Sequence, residues 1–73
     1  MPKKPNKALK TLGRKIQRLR KNHEITQEEL AEMVHISRVY MGYIEQGRES
    51  PSLKLLMKLS KKLGVKVEDL FHR

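Results

Sequence analysis

Apolar residues recur every three or four positions along most of this chain. In residues 8–22 they fall at Leu9, Leu12, Ile16 and Leu19, with lysine and arginine filling the other positions. This spacing puts the apolar side chains on one face of an α-helix. Similar patterns return later in the chain, and no stretch alternates apolar and polar residues as a strand would. The pattern predicts an all-α, compact fold with five helices.

Residues with capping preferences mark where these helices begin and end. Thr26 and Glu29 have the spacing of a capping box, in which each side chain binds the other residue's backbone amide. Serine favours the start of a helix and glycine its end. The other predicted boundaries are Ser37, Gly47, Ser50 or Ser52, and Gly64. In the fourth helix the predicted inward residues are Leu53, Leu56, Met57, Leu59, Ser60 and Leu63.

The third predicted helix turns a mixed polar and apolar face outward. That face carries Arg38, Val39, Gly42, Tyr43 and Gln46. Arginine and glutamine can hydrogen-bond the edge of a base pair, and an apolar group can contact a thymine methyl. The alternative is an ordinary solvated surface that happens to carry these residues. The helix by itself leaves both readings open.

A longer motif resembles a known family. The segment TQEELAEMVHISRVYMGYIEQGRESPSL, followed by LMKLSKKLGV, is similar to the Cro/C1-type (XRE-like) helix-turn-helix family. The resemblance runs from about Leu9 to Phe71 and implies the lambda repressor-like five-helix fold. It also implies a sequence-specific DNA-binding transcriptional regulator that places helix three in the major groove. A small repressor, a restriction-modification controller and an antitoxin-like autoregulator are all compatible with it.

The resemblance assigns roles residue by residue. It implies base reading by Arg38, Val39 and Tyr43, phosphate contacts by Gln27, Gln46 and Arg48, and support of the recognition helix by Gln27. From their places on the helix, Gly42 is a candidate for close approach to the bases and Tyr40 for a phosphate contact. Tyr40 has an alternative role as a half-buried packing residue, and Gly42 as a site of close helix packing. The resemblance further implies a buried structural ion pair between Arg20 and Glu45.

The chain departs from the family pattern at two positions. The family usually has glycine where this chain has Glu24 and His35. Because glycine is favoured at positive φ, we expect Asn22 to take the left-handed conformation after helix one and His35 to take it in the turn. His35 could alternatively be a pH sensor or a ligand, but no second metal-binding residue stands at a suitable spacing.

The net charge of +9 is unevenly distributed. Residues 1–22 hold nine basic residues and no acid, whereas residues 23–49 hold two basic residues and six acids. A basic balance favours polyanions without choosing among them. Cysteine is absent, which excludes a disulfide framework and thiolate metal sites. No catalytic constellation can be named, so we predict neither an enzyme nor a cofactor nor a bound metal.

The chain ends are predicted to differ from the centre. Residues 1–7 are expected to form a flexible basic arm that follows DNA or simply aids solubility, and residues 8–73 the helix-turn-helix domain. No apolar run is long enough for a membrane span or signal peptide. We therefore expect a cytoplasmic protein, associated with the nucleoid.

Apolar residues near the C-terminus are candidates for a homodimer interface: Val65, Val67, Leu70 and Phe71. A two-fold dimer would present two recognition helices and favour a palindromic operator in double-stranded DNA. An antitoxin would also bind a protein partner. The alternative function is a protein-interaction module that keeps the scaffold without sequence-specific DNA binding.

Overall fold

A computed structural model describes residues 4–72 of the chain. Its α-helices are α1 (Lys7–Asn22), α2 (Gln27–Met33), α3 (Arg38–Glu45) and α4 (Leu53–Leu63). A 3₁₀ helix, Val67–Phe71, follows them. The all-α class is confirmed, and no helix in the described residues is long and apolar enough to cross a membrane.

The predicted count of five α-helices is wrong, because the fifth element is a single 3₁₀ helix of five residues. Asp69 closes this turn from both sides: its carboxylate accepts from the Lys66 amide at 3.0 Å, and its carbonyl accepts from the His72 amide at 3.3 Å. So short a segment cannot sustain an α-helical ladder, whereas 3₁₀ geometry is common in pieces of this length.

The first helix starts earlier than its apolar pattern indicates. The Asn6 side chain accepts from the Leu9 amide at 3.1 Å and caps α1, so that Lys7 is already helical. The Asn6 amide also donates to the Gly47 carbonyl at 3.1 Å. The end of the predicted basic arm is thus attached to the loop after α3, while residues 1–3 of that arm lie outside the described part of the chain.

The capping box of α2 forms as its spacing predicts. Thr26 Oγ1 accepts from the Glu29 amide at 3.0 Å, and Glu29 Oε1 accepts from the Thr26 amide at 2.8 Å. The amide of Thr26, and then its hydroxyl, hold the pKa of the Glu29 carboxyl below its usual range. Ser37 and Ser52 cap α3 and α4 with a single bond each, their hydroxyl oxygens accepting from the amides of Tyr40 and Leu55, which decides between Ser50 and Ser52.

Within residues 4–72, two residues other than glycine adopt the left-handed backbone conformation. His35 does so in the turn between α2 and α3, with φ of 62°. The other is Glu24, with φ of 57°, whereas Asn22 ends α1 as a helical residue. The expectation for Asn22 is therefore wrong, because the chain reverses direction two residues later than assumed. Glu24 occupies the very position at which the family usually has glycine.

The core lies between the helices and is closed by the 3₁₀ helix. It consists of Leu12, Ile16, Leu30, Ala31, Val34, Met41, Ile44, Leu55, Leu56, Leu59, Leu63 and Leu70. The predicted inward face of α4 is partly wrong. Leu53 and Met57 are 66% and 56% exposed, and Leu55 is buried in their place. Apolar residues stand on several sides of α4, so periodicity alone could not select the buried side.

Helices α1 and α3 approach each other closely at Gly13. A Cβ atom at this position would lie 2.4 Å from the Ile44 carbonyl oxygen and 2.5 Å from that of Glu45. Both contacts are to backbone atoms, which cannot rotate away as a side chain could. Glycine therefore allows α1 to lie directly against the C-terminal turn of α3 and fixes how far α3 stands from the core.

Candidate nucleic-acid interface

A buried ion pair connects α1 to the end of α3. Arg20 Nε donates to Glu45 Oε2 at 2.7 Å, and Arg20 Nη2 donates to Glu45 Oε1 at 3.0 Å. The two side chains are only 9% and 2% exposed. Arg20 Nη1 also donates to the Ile25 carbonyl at 3.0 Å, just before α2. This two-pronged geometry fixes orientation as well as distance, so α1, α2 and α3 are tied together at one point.

Gln27 carries this connection to the surface. Its Nε2 donates to Glu45 Oε1 at 3.0 Å, and its Oε1 accepts from Arg38 Nη1 at 3.4 Å. The carboxylate accepts from the amide NH₂ and the guanidinium donates to the amide oxygen, so both neighbours favour one orientation of Gln27. A continuous set of side chains therefore runs from buried Arg20 to exposed Arg38. We name it the Arg20–Arg38 network; it comprises Arg20, Glu45, Gln27 and Arg38.

The resemblance implied that Gln27 contacts a phosphate and supports the recognition helix, but it did not identify Glu45 and Arg38 as the partners of Gln27. These three residues are separated by 18 and 11 positions in the chain. Spacing along the sequence gives no sign of contacts at such distances. The one available signal was the position of Gln27 at the first residue of α2, from which a side chain can reach past the end of its own helix.

The start of α3 presents its side chains to solvent. Arg38 is exposed and Val39 is 52% exposed, while Tyr43 is half-buried on the next turn. Tyr40 is half-buried and packs against the core. Packing therefore accounts for part of the Tyr40 side chain, and only its remaining surface is free for a ligand.

Gly42 does not lie on the outward surface that its position in the sequence predicted. It is buried, and a Cβ atom there would have Gln27 Oε1 at 3.8 Å and Gln46 Nε2 at 4.0 Å. The two glutamine side chains cover it. Both distances are ordinary van der Waals separations, so the space around Gly42 would accept an alanine.

The C-terminal end of α3 forms a second polar area. Gly47 has φ of 77° and reverses the chain after α3. Gln46 is exposed and Arg48 is half-buried, with its amide donating to the Tyr43 carbonyl at 2.9 Å. The side chains of Gln46 and Arg48 line a cleft together with Lys10 and Arg14 of α1. Glu45 also lines this cleft, but its carboxylate is paired with Arg20, so the groups left for a ligand beside the end of the helix are cationic and amide groups.

The four candidates for a dimer interface separate into different environments. Leu70 has no exposed surface and belongs to the core of its own chain, so its assignment to an interface is wrong. Val65 and Val67 are partly buried and pack against the core. Phe71 is 56% exposed. No group of acidic, histidine or cysteine side chains within residues 4–72 could hold a metal ion.

Helices α2 and α3 are short and are joined by a tight turn. Glu45 of α3 is bonded to α1 and α2, while the outer face of α3 is exposed. This arrangement defines a helix-turn-helix domain. The exposed polar side chains at both ends of α3 and the cationic groups beside it fit the surface that such domains turn to DNA.

A helix-turn-helix family model matches residues 16–70. An uncharacterised HTH-type transcriptional regulator of Methanocaldococcus jannaschii is 46% identical over 57 residues, which cover 78% of this chain and 86% of the relative. The restriction-modification controller protein C.AhdI from Aeromonas hydrophila has a TM-score of 0.86 at 30% identity, over 90% of this chain and 100% of that one. The P22 c2 repressor, solved with a synthetic operator, has a TM-score of 0.79 at 31% identity, over 84% and 92%. This chain belongs to the Cro/C1-type helix-turn-helix family.

Proposed function

We propose that this protein is a sequence-specific DNA-binding transcriptional regulator that inserts α3 into the major groove. The observation that carries the proposal is the Arg20–Arg38 network. The network ends in the exposed guanidinium of Arg38 at the start of α3. Gln27 accepts a hydrogen bond from this group and donates one to Glu45 of the buried ion pair. Arginine pairs with guanine O6 and N7 through two donors, and this contact discriminates only if the guanidinium is well oriented.

The experiment that tests this function is selection of bound duplexes from a randomised DNA library at about 0.15 M salt, where non-specific charge binding is reduced. We expect one sequence to be enriched. Two copies of the sequence in palindromic arrangement would support a dimer, and a single copy would support a monomeric reader. The absence of any enriched sequence would overturn the proposal and favour an interaction module.

Arg38 and Arg48 are expected to contribute in different ways. Arg38→Ala should weaken binding to the enriched site by about 1 to 3 kcal/mol and relax one base position, because a base contact is lost. Arg48→Ala should weaken binding to all sequences alike, because its proposed partner is a phosphate. Titrations of each variant against the enriched duplex and a random duplex measure both effects. Equal losses of Arg38→Ala on the two duplexes would contradict a base-reading role.

The protein is also proposed to bind as a homodimer through exposed apolar side chains at its C-terminal half. Leu53 and Met57 stand one turn apart on α4, and Phe71 ends the 3₁₀ helix that follows α4. All three are more than half exposed, so each offers apolar surface that a second copy of the chain could cover. A two-fold pair would place two α3 helices about 34 Å apart, one helical turn of DNA.

Met57→Glu is expected to weaken dimerisation by about 10- to 100-fold, since burying a methionine side chain contributes about 1.5 to 3 kcal/mol. Sedimentation equilibrium, with and without the enriched duplex, measures the change. Met33→Glu is the matched control, because Met33 is 39% exposed on α2 and lies outside the proposed interface. A dimer unaffected by Met57→Glu would place the interface elsewhere, and a wild-type monomer on DNA would exclude the dimer.

A further inference from the structure

The outer face of α1 carries a row of cations that the proposed reading of bases does not use. Lys7, Lys10, Arg14 and Arg18 follow one another at spacings of three and four residues, so they lie on one side of the helix. All four are exposed, and with Thr11 they line a shallow groove. The row is about 16 Å long at the rise of an α-helix. We call these four residues the α1 basic stripe.

The α1 basic stripe does not serve the fold. Within residues 4–72 the ion pair present is that of Arg20 with Glu45, which leaves the stripe without acidic partners. Like charges at these spacings oppose helix formation by about 0.2 to 0.5 kcal/mol per pair. Lys7 and Lys10 also stand in the first turn, where the positive end of the helix dipole disfavours cations. An anion bound along the stripe would offset both costs.

The stripe begins where the proposed phosphate contacts of α3 end. The backbone of Lys10 packs directly against Gly47, and the Asn6 amide is bonded to the Gly47 carbonyl. Lys10 and Arg14 belong at once to the stripe and to the cleft that contains Gln46 and Arg48. The cationic surface is therefore continuous from the end of α3 onto α1.

We propose that the α1 basic stripe binds the phosphate backbone of duplex DNA next to the segment read by α3, and so extends the bound length of duplex. The inference rests on the proposed function, because α3 in the groove brings the end of α1 to the backbone. The stripe carries no aromatic side chain for stacking on single strands. The apolar face of α1 is packed into the core, with Leu12 and Ile16 buried, so it is not available to enter a membrane surface. Both features favour duplex phosphates among polyanions.

The test is the salt dependence of binding to DNA. In the stripe variant, Lys7, Lys10, Arg14 and Arg18 are all replaced by glutamine, which removes the charge and keeps two methylene groups of each side chain. Each phosphate contact contributes about 0.9 to the slope of log K against log salt. We expect the stripe variant to lower that slope by about 3 to 4. Its loss of affinity should then be on the order of 100-fold larger at 50 mM than at 200 mM salt.

A matched variant removes the same charge elsewhere, by replacing Lys58, Lys61, Lys62 and Lys66 with glutamine. All four are exposed. They surround the C-terminal end of α4, where the Leu63 carbonyl accepts from His23 Nε2 at 2.9 Å. His23 follows α1, so this region lies at the opposite end of α1 from Gly47. We expect the slope to change much less in this variant. Equal changes in the two variants would mean that only net charge matters and would overturn the proposal.

A second experiment varies the length of the DNA duplex. The enriched site is embedded either in a duplex that ends at its edges or in one with about ten further base pairs on each side, about 34 Å of duplex. Wild-type protein should bind the longer duplex more tightly, and the stripe variant should not distinguish the two. A stripe variant that still prefers the longer duplex would overturn the flanking contact.

The outcomes separate this proposal from the proposed function. If no sequence is enriched, the same salt titrations on random duplexes still measure the stripe against its matched control. A stripe variant that keeps the enriched sequence but loses slope supports both proposals. One that keeps the sequence and the slope supports the function and overturns the stripe. Circular dichroism and thermal melting of both variants verify that the fold is intact.

Discussion

Glu45→Ala is expected to lower the free energy of unfolding by about 3 to 5 kcal/mol, because it leaves Arg20 charged and buried without its carboxylate. A domain of this size has about 5 to 15 kcal/mol in total, so the variant should lose a large part of its stability. Urea unfolding of the wild type and the variant measures the difference. Glu32→Ala, at an exposed position of α2, should change the stability by less than about 0.5 kcal/mol.

A double variant tests whether Arg20 and Glu45 contribute to stability as a pair or independently of each other. Arg20→Met combined with Glu45→Leu removes both charges and fills the space with apolar side chains. Such replacements are often neutral or even stabilising, so the double variant should be more stable than either Arg20→Met or Glu45→Leu alone. If the losses of the single variants simply added in the double variant, the two residues would not be coupled.

The same double variant addresses recognition. It removes the carboxylate that accepts from Gln27, and Gln27 in turn orients Arg38. A folded double variant should therefore bind DNA while discriminating less between the enriched and random duplexes. Full discrimination in a folded double variant would show that Arg38 needs no support from the Arg20–Arg38 network.

Gly13→Ala is expected to destabilise the fold by about 3 kcal/mol, at the upper part of the usual range for overpacking. The added methyl group would meet the carbonyl oxygens of Ile44 and Glu45 at 2.4 and 2.5 Å. Carbon and oxygen cannot approach so closely, so α1 and α3 must separate. Separation would also stretch the ion pair between Arg20 and Glu45. Thermal melting should show a fall of about 4 to 8 °C for each kcal/mol lost.

Gly42→Ala is the matched control for this prediction, because it makes the same chemical change within a helix. Its methyl group would have no neighbour closer than 3.8 Å. Alanine is favoured over glycine in helix interiors by up to about 1 kcal/mol, so the control should be slightly stabilised. A Gly13→Ala variant as stable as Gly42→Ala would contradict the close approach of α1 to α3.

Contacts between residues three apart could be predicted from the sequence. Thr26 with Glu29, and Ser37 with the amide of Tyr40, form as their spacing indicates. Such caps need only the local backbone geometry of a helix end, which residue types largely determine. The motif shared with the family likewise identified the helix-turn-helix class, because its residues stand at fixed positions within consecutive helices.

The tertiary structure alone decided which surfaces meet. Leu55 rather than Met57 is buried because α4 packs against α1 and the 3₁₀ helix with one of several apolar sides. Leu70 enters the core from the 3₁₀ helix that follows α4, a contact that the local sequence pattern does not specify.

The same distinction holds at the candidate site. The amino-acid sequence by itself determined which residue types stand on α3 and which residues cap the two ends of this helix. Only the fold joined Gln27 to Glu45, covered Gly42 and attached the α1 basic stripe to the end of α3. These contacts join residues far apart in the chain, and their geometry depends on how all the helices pack together. The spacing of residues along the chain does not indicate how the helices pack, because their packing depends on burying the apolar side chains of all of them in one core.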